Sequence, residues 1–227
     1  MNRNLNSRFY SWDYCYNTFC IARDMDSQDY DYLSMHLAFY LASWGMYRGS
    51  SSLLQYNYKI HIPAVRIIMK KEYNFLLGLE YTKLSQKDKE KTKKEIEKIK
   101  KELTDCYKKQ NARPTGTLVT KILLGTLGCT PAYDTLFCNV VNKNKQVIFG
   151  ENYPNIRTER WNIDSLFDLV HFYTSNQDNF EKARKGFIVF GRCYPQMKLL
   201  DMGLWQIGFQ DSQKKNKKGN NARLQST

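Results

Sequence analysis

The chain has no CxxC pair, and its three histidines, His36, His61 and His171, are too dispersed to complete a zinc pattern. Its six cysteines (Cys15, Cys20, Cys106, Cys129, Cys138 and Cys193) therefore read as reduced thiols. They are small core residues with no catalytic assignment. No run approaches the ~18 apolar residues of a membrane span. The opening MNRNLNSRFYSWDYCYNTF is polar and aromatic, without the apolar stretch of an export signal. Together these absences predict a cytoplasmic protein with no metal, no cofactor and no membrane partner. Acid is scarce as well: 22 Asp and Glu face 35 Lys and Arg, a formal net charge of +13. That excess favours a polyanion, because each Lys or Arg near a phosphate releases condensed counterions. Nucleic acid is the expected partner, and a generic basic surface is the plain alternative.

What is present suffices for a core: 227 residues, 42% hydrophobic and 14% aromatic. The apolar spacing is mostly helical and predicts an all-α fold. We expect one compact helical domain over 1–209, its N- and C-terminal segments packing together around a middle helical subdomain of about 55–140, with a cleft between the two halves. Residues 210–227, poor in hydrophobics and carrying Lys214, Lys215, Lys217, Lys218 and Arg223, read as a disordered basic tail. No internal repeat is present, and a monomer is expected.

Leu33, Leu37, Leu41 and Trp44 mark a buried helix from Tyr30, followed by a loop and a second helix begun by Ser50, Ser51 or Ser52. A helix is predicted from about Pro63 to Tyr81, with Pro in its first turn. Lys83 to Lys109 reads as a solvated amphipathic helix with Ile96, Ile99 and Leu103 as its sparse apolar stripe. Further helices are expected over Thr117 to Leu127, from Asp134 to about Val141, over Asn162 to Tyr173 and over Gln196 to Ile207. Val147 to Phe149 is a short apolar piece, strand or loop.

Two segments carry candidate chemistry. In Ser43-Trp44-Gly45-Met46-Tyr47-Arg48-Gly49-Ser50-Ser51-Ser52, Met46 or Tyr47 supplies a bulky wedge and Arg48 a cation. The small residues admit a nucleic-acid backbone, with Ser50 and Ser51 placed for a phosphate. The plain alternative is a tight turn with Trp44 in the core. The second segment runs from Pro114 to Phe137. Thr115, Gly116 and Thr117 begin a helix whose amides suit a phosphate, and Lys121 adds charge. Asp134 follows Gly128-Cys129-Thr130-Pro131-Ala132-Tyr133. It reads either as a simple N-cap or as an anion that also stabilises positive charge on a sugar.

A wedge-bearing loop, then a Gly-containing hairpin, a helix and an Asp after a Pro-containing turn resembles the helix-hairpin-helix DNA glycosylase superfamily. Pro114-Thr115-Gly116-Thr117-Leu118-Val119 stands at the hairpin, and Pro131-Ala132-Tyr133-Asp134-Thr135 at the Asp segment. The likeness covers Met35 to about Val141. The family's Schiff-base lysine position falls on Leu118, with Lys121 one turn further on, and no four-cysteine cluster follows. The resemblance implies monofunctional base excision on double-stranded DNA. A nucleotide flips into a pocket built from Trp44, Tyr133, Trp205 and Tyr40, and Asp134 stabilises the oxocarbenium-like sugar. Damaged bases and modified bases of foreign DNA, such as that of phages, are both open as substrates.

Two other classes compete. One is a non-enzymatic helical nucleic-acid-binding protein with Asp134 as a cap. The other is a metal-dependent nuclease, which needs Asp134, Asp164, Asp168 and Asp201 brought together. The helix containing MKLLDMGLWQIG is well marked but carries no role, and Arg192, Lys198 and Asp201 beside it have no assignment.

Overall fold

The computed structural model describes residues 6–143, 148–150 and 161–224, with backbone alone at 189 and from 215 onward. Residues 144–147, most of the polar loop and the start of the apolar piece, lie outside the described residues, whereas Ile148 and Phe149 are helical, with Phe149 buried, and form neither strand nor loop. The fold is mainly helical. A 3-10 turn, Arg8–Tyr10, leads into α1 (Ser11–Arg23), followed by α2 (Tyr30–Ser43), α3 (Ile62–Ile68), α4 (Gln86–Lys108), α5 (Gly116–Thr126) and α6 (Thr135–Lys143). Then come α7 (Ile163–Ser175), α8 (Gln177–Arg184), a ribbon of β1 (Ile188–Val189) and β2 (Arg192–Cys193), and α9 (Gln196–Leu224).

Polar caps set where several helices begin. Asp29 accepts from Tyr32 N–H at 2.9 Å, Ser85 from Asp88 N–H at 3.2 Å, Thr115 from Leu118 N–H at 3.1 Å and Asn162 from Ser165 N–H at 2.7 Å. The charged helix α4 is amphipathic as expected: Ile96, Ile99, Leu103 and Tyr107 are buried on one stripe. Helix α5 lies at the centre and is buried from Leu118 to Thr126, packed by α1, α2 and α4. The indole N–H of Trp12 on α1 donates to the Leu124 carbonyl at 2.9 Å, satisfying an acceptor near the C-terminus of α5.

The structure departs from the sequence reading in four further places. The helix expected over Pro63 to Tyr81 ends at Ile68 and continues as 3-10 turns, Lys71–Leu76 and Tyr81–Lys83. The α-helix stops with Met69 at its C-cap, and Gly78, at φ 59°, turns the chain between the two 3-10 turns and donates its N–H to the Leu127 carbonyl at 2.8 Å. The helix expected after Gly49 is a single 3-10 turn, Ser52–Gln55, capped by Ser51. A β ribbon interrupts the helical pattern, with Phe190 and Gly191, both at positive φ, forming its two-residue turn. Finally, the tail read as disordered from residue 210 continues α9 to Leu224. Extending a formed helix through Gln and Lys needs no new nucleus.

Arg184 joins distant segments at the start of α9. Its guanidinium makes two bonds to Glu80, at 2.6 and 2.9 Å, and a third to Glu181 at 2.8 Å, while Gln196 also donates to Glu181 at 2.9 Å. This places the first turn of α9, and with it the inward face of the whole helix.

Candidate functional site

The loop after α2 is held by its backbone. Gly45, at φ 77°, donates to the Ala42 carbonyl at 3.0 Å, and Met46 N–H reaches the Leu41 carbonyl at 2.9 Å. This pair of bonds is a Schellman closure, which favours glycine at the left-handed position. Glycine also leaves room for Arg48, whose Nε would stand 2.6 Å from a Cβ at position 45. Ser51 donates to the Met46 carbonyl at 2.6 Å, and Ser52 is bonded to the backbone of Arg113 at 3.0 Å. The hydroxyl of Tyr47 lies 2.6 Å from Nε2 of buried His61.

The second wall comes from α5 and the turn that follows it. Thr117 Oγ1 donates to the Tyr133 carbonyl at 2.9 Å, and Tyr133 N–H donates to Thr120 Oγ1 at 3.1 Å, which fixes the turn against the helix. Asp134 then does two things at once. Its Oδ1 accepts from Phe137 N–H at 3.1 Å, capping α6, and its Oδ2 lies 3.1 Å from Lys121 Nζ. The Lys121 side chain is 4% exposed and that of Asp134 17%. Lys121, read as a phosphate contact, is instead an inward cation beneath the carboxylate, with its Nζ 5.4 Å from the Trp44 ring centroid.

The third wall is α9. Lys198 and Asp201, one turn apart, are both buried, with Nζ 3.9 Å from Oδ2. Asp201 Oδ1 also accepts from Ala132 N–H at 2.8 Å. Burial raises the Asp201 carboxyl to about 6, and the nearby Asp134 charge adds to the rise. The Lys198 ammonium, the Ala132 N–H and Lys121 oppose it. Burial lowers the pKa of Lys198 from its ordinary value, while Asp201 pulls the other way. Lys198 Nζ sits 4.8 Å from the Trp12 ring centroid and 5.9 Å from that of Trp44. Further along α9, Trp205 stacks on Phe209 at 5.2 Å and meets Trp44 edge to face at 5.4 Å.

These three walls enclose an open cavity of about 530 Å³. Trp44, Met46, Tyr47, Arg48, Thr117, Lys121 and Asp134 all line it, joined by Arg8, Trp205 and Phe209. Residues as far apart in sequence as Arg8 and Phe209 thus converge. Phe9, half exposed, edges both Trp44 and Trp205 at about 6 Å.

Other assignments fall elsewhere. The Tyr133 ring faces away, against Phe137 and Trp161, with its hydroxyl 3.4 Å from Ser165; adjacent residues of a tight turn send their side chains apart. Thr115 caps α5, Gly116 starts that helix, and exposed Ser50 precedes the capping Ser51; none of the four lines the cavity. Tyr40 is buried behind it, beside Lys121, Asp134, Lys198 and Asp201. Of the four aspartates, Asp134 and Asp201 border one small buried pocket, whereas Asp164 lies 4.0 Å from Lys93. Among the described residues no group of three or more His, Cys, Asp or Glu is arranged to hold a metal ion, and no helix is long and apolar enough to cross a membrane.

Arg8, Phe9, Lys198 and Phe209 are contributions that sequence reasoning did not assign to the site. The signal for Lys198 and Asp201 was two opposite charges set one turn apart in an otherwise apolar helix. Set against family models, curated proteins and solved structures, the chain matches none.

Proposed function

We propose that this cavity is the base pocket of a DNA glycosylase that hydrolyses the N-glycosidic bond of a flipped nucleotide. The observation that carries the reading is the Lys121 and Asp134 pair, set into the wall of an aromatic-lined, open cavity in a chain of net charge +13. Both Asp134 oxygens already hold fixed donors, yet a carboxylate offers about four lone-pair sites, so accepting capacity remains for the cavity side. An anion positioned in this way needs no reorganisation as positive charge develops on the sugar ring.

Trp44 and Trp205 supply π-faces for a base that has lost its stacking neighbours in the duplex. Arg8 and Arg48 put cations on the cavity lining for phosphates. In the hydrolysis, the C1′–N bond breaks with its electron pair leaving on the base. Asp134 stabilises the resulting cation, and water adds at C1′ and gives up a proton that neutralises the departed base, leaving an abasic site and a free base.

The test is base release from duplexes carrying damaged or modified bases, and from hypermodified phage DNA, in EDTA. We expect abasic sites from the wild type and none from Asp134→Asn. Duplex binding without base release on every substrate would replace this reading with a non-enzymatic binding protein, and release only with added metal would favour a nuclease.

A further inference from the structure

Beside the charged pair, a chain of three side chains runs from the cavity into the core. Tyr47 lines the cavity. Its hydroxyl lies 2.6 Å from His61 Nε2, and His61 Nδ1 lies 2.5 Å from the Tyr107 hydroxyl. His61 and Tyr107 are both fully buried. Burial lowers His61 to about 3, so its ring is neutral and carries one hydrogen.

One hydrogen on two ring nitrogens leaves two arrangements, and the buried end decides between them. Among the described residues, His61 Nδ1 is the acceptor within reach of the Tyr107 hydroxyl. If Nδ1 carried the hydrogen, Tyr107 would accept it, and its own O–H would be buried with nowhere to donate. Unpaired buried donors are the costly case in hydrogen-bond accounting. Tyr107 therefore donates to Nδ1, and Nε2–H donates to the Tyr47 oxygen. The hydrogen of Tyr47 is the last in the chain. No described residue accepts it, and of the three side chains Tyr47 alone borders the cavity, which leaves this hydrogen for an acceptor supplied from outside the protein.

We infer that Tyr47 is a specificity-determining residue, a hydrogen-bond donor polarised outward by His61 and Tyr107, which selects bases carrying an exocyclic carbonyl over bases lacking one. The polarity of the chain follows from the buried groups alone; its reading as base selection rests on the proposed glycosylase. A ligand presenting an amino group or a C–H at this point would leave the Tyr47 donor unpaired, the form of discrimination that sites built to hydrogen-bond achieve best. Tyr47 stays protonated throughout, because burial raises its hydroxyl to about 12.

Two measurements test this. The first is nitrogen-15 NMR of the His61 ring in the free wild-type protein. We expect an unprotonated Nδ1 and a protonated Nε2, and the opposite tautomer overturns the inference whatever the activity. The second is equilibrium binding to two duplexes of identical sequence, one carrying hypoxanthine and the other unsubstituted purine at the same position. Wild type should prefer hypoxanthine by roughly tenfold, near the net worth of one hydrogen bond, and Tyr47→Phe should lose most of that preference. Equal binding by wild type, or an undiminished preference in Tyr47→Phe, overturns it. Should Tyr47→Phe not fold, the tautomer decides. Base release followed on the same duplexes separates the two readings: preference without release removes the glycosylase and keeps Tyr47, whereas release without preference does the reverse.

Discussion

The carboxylate of Asp201 holds the backbone N–H of Ala132 at 2.8 Å, across 69 positions of sequence, and so ties helix α9 to the turn that carries Asp134. The same carboxylate is buried beside Lys198 and near Lys121, Asp134 and Tyr40. Its pKa is raised to about 6, chiefly by burial.

A raised carboxyl pKa favours the folded state when the group is protonated. The contribution is full below the unfolded value of about 3.9 and is lost as pH rises through about 6. Wild type should therefore gain stability relative to Asp201→Asn, by roughly 1–3 kcal/mol, between about pH 7 and about pH 4. Urea unfolding of both chains across that interval checks the prediction. Parallel curves would mean that Asp201 titrates in the fold as it does in the unfolded chain.

Asp134 and Lys121 form a buried pair, and removing one partner leaves the other charge uncompensated. Asp134→Asn keeps an acceptor for the α6 cap yet strands Lys121, so we expect a loss of about 3 kcal/mol along with loss of base release. Adding Lys121→Met, apolar and of similar length, should restore most of the stability and none of the activity. If the double variant is no more stable than the single one, stranded charge is not the source of the loss.

Gly45→Ala should cost about 1–2 kcal/mol, because position 45 is left-handed and its Cβ would displace Arg48. Arg48→Gln leaves the backbone closure intact and removes only the cation. Its thermal midpoint should match wild type, while the slope of log affinity for duplex DNA against log salt falls by about one. An unchanged slope would place Arg48 outside the DNA contact.

Much of this site was legible in the sequence because local rules fixed its parts. The loop from Ser43 to Ser52 is a helix end followed by glycine, and Asp134 is a cap after a Pro-containing turn; both lie where patterning placed them, and both line the cavity. What patterning did not give was side-chain direction inside a turn, so Tyr133 was assigned to the pocket that its neighbour Asp134 faces. Nor did it show that Lys121 points inward, since a lysine in mid-helix is normally solvated. The third wall was hidden for a different reason. Lys198 and Asp201 reach the site only because α9 is set by the Arg184 network and packs against α6, contacts made across long sequence separations.

Gly125 shows how closely the core behind the site is fitted. A Cβ there would stand 2.4 Å from Tyr40 Cε1, and the Tyr40 ring is buried beside Lys121, Asp134 and Asp201. In an open helix, Gly→Ala would stabilise by about 1 kcal/mol. Here the overpacking should outweigh that gain, giving a net loss of about 1–2 kcal/mol. The ring has little freedom to retreat, so the strain should pass to the ion pairs it touches and lower base release as well. Gly125→Ala combined with Tyr40→Leu relieves the clash at the expense of a cavity, and should recover part of the stability lost in Gly125→Ala. Thermal melts of the two single variants and the double variant measure that coupling, and purely additive effects would show that the ring and the helix do not constrain each other.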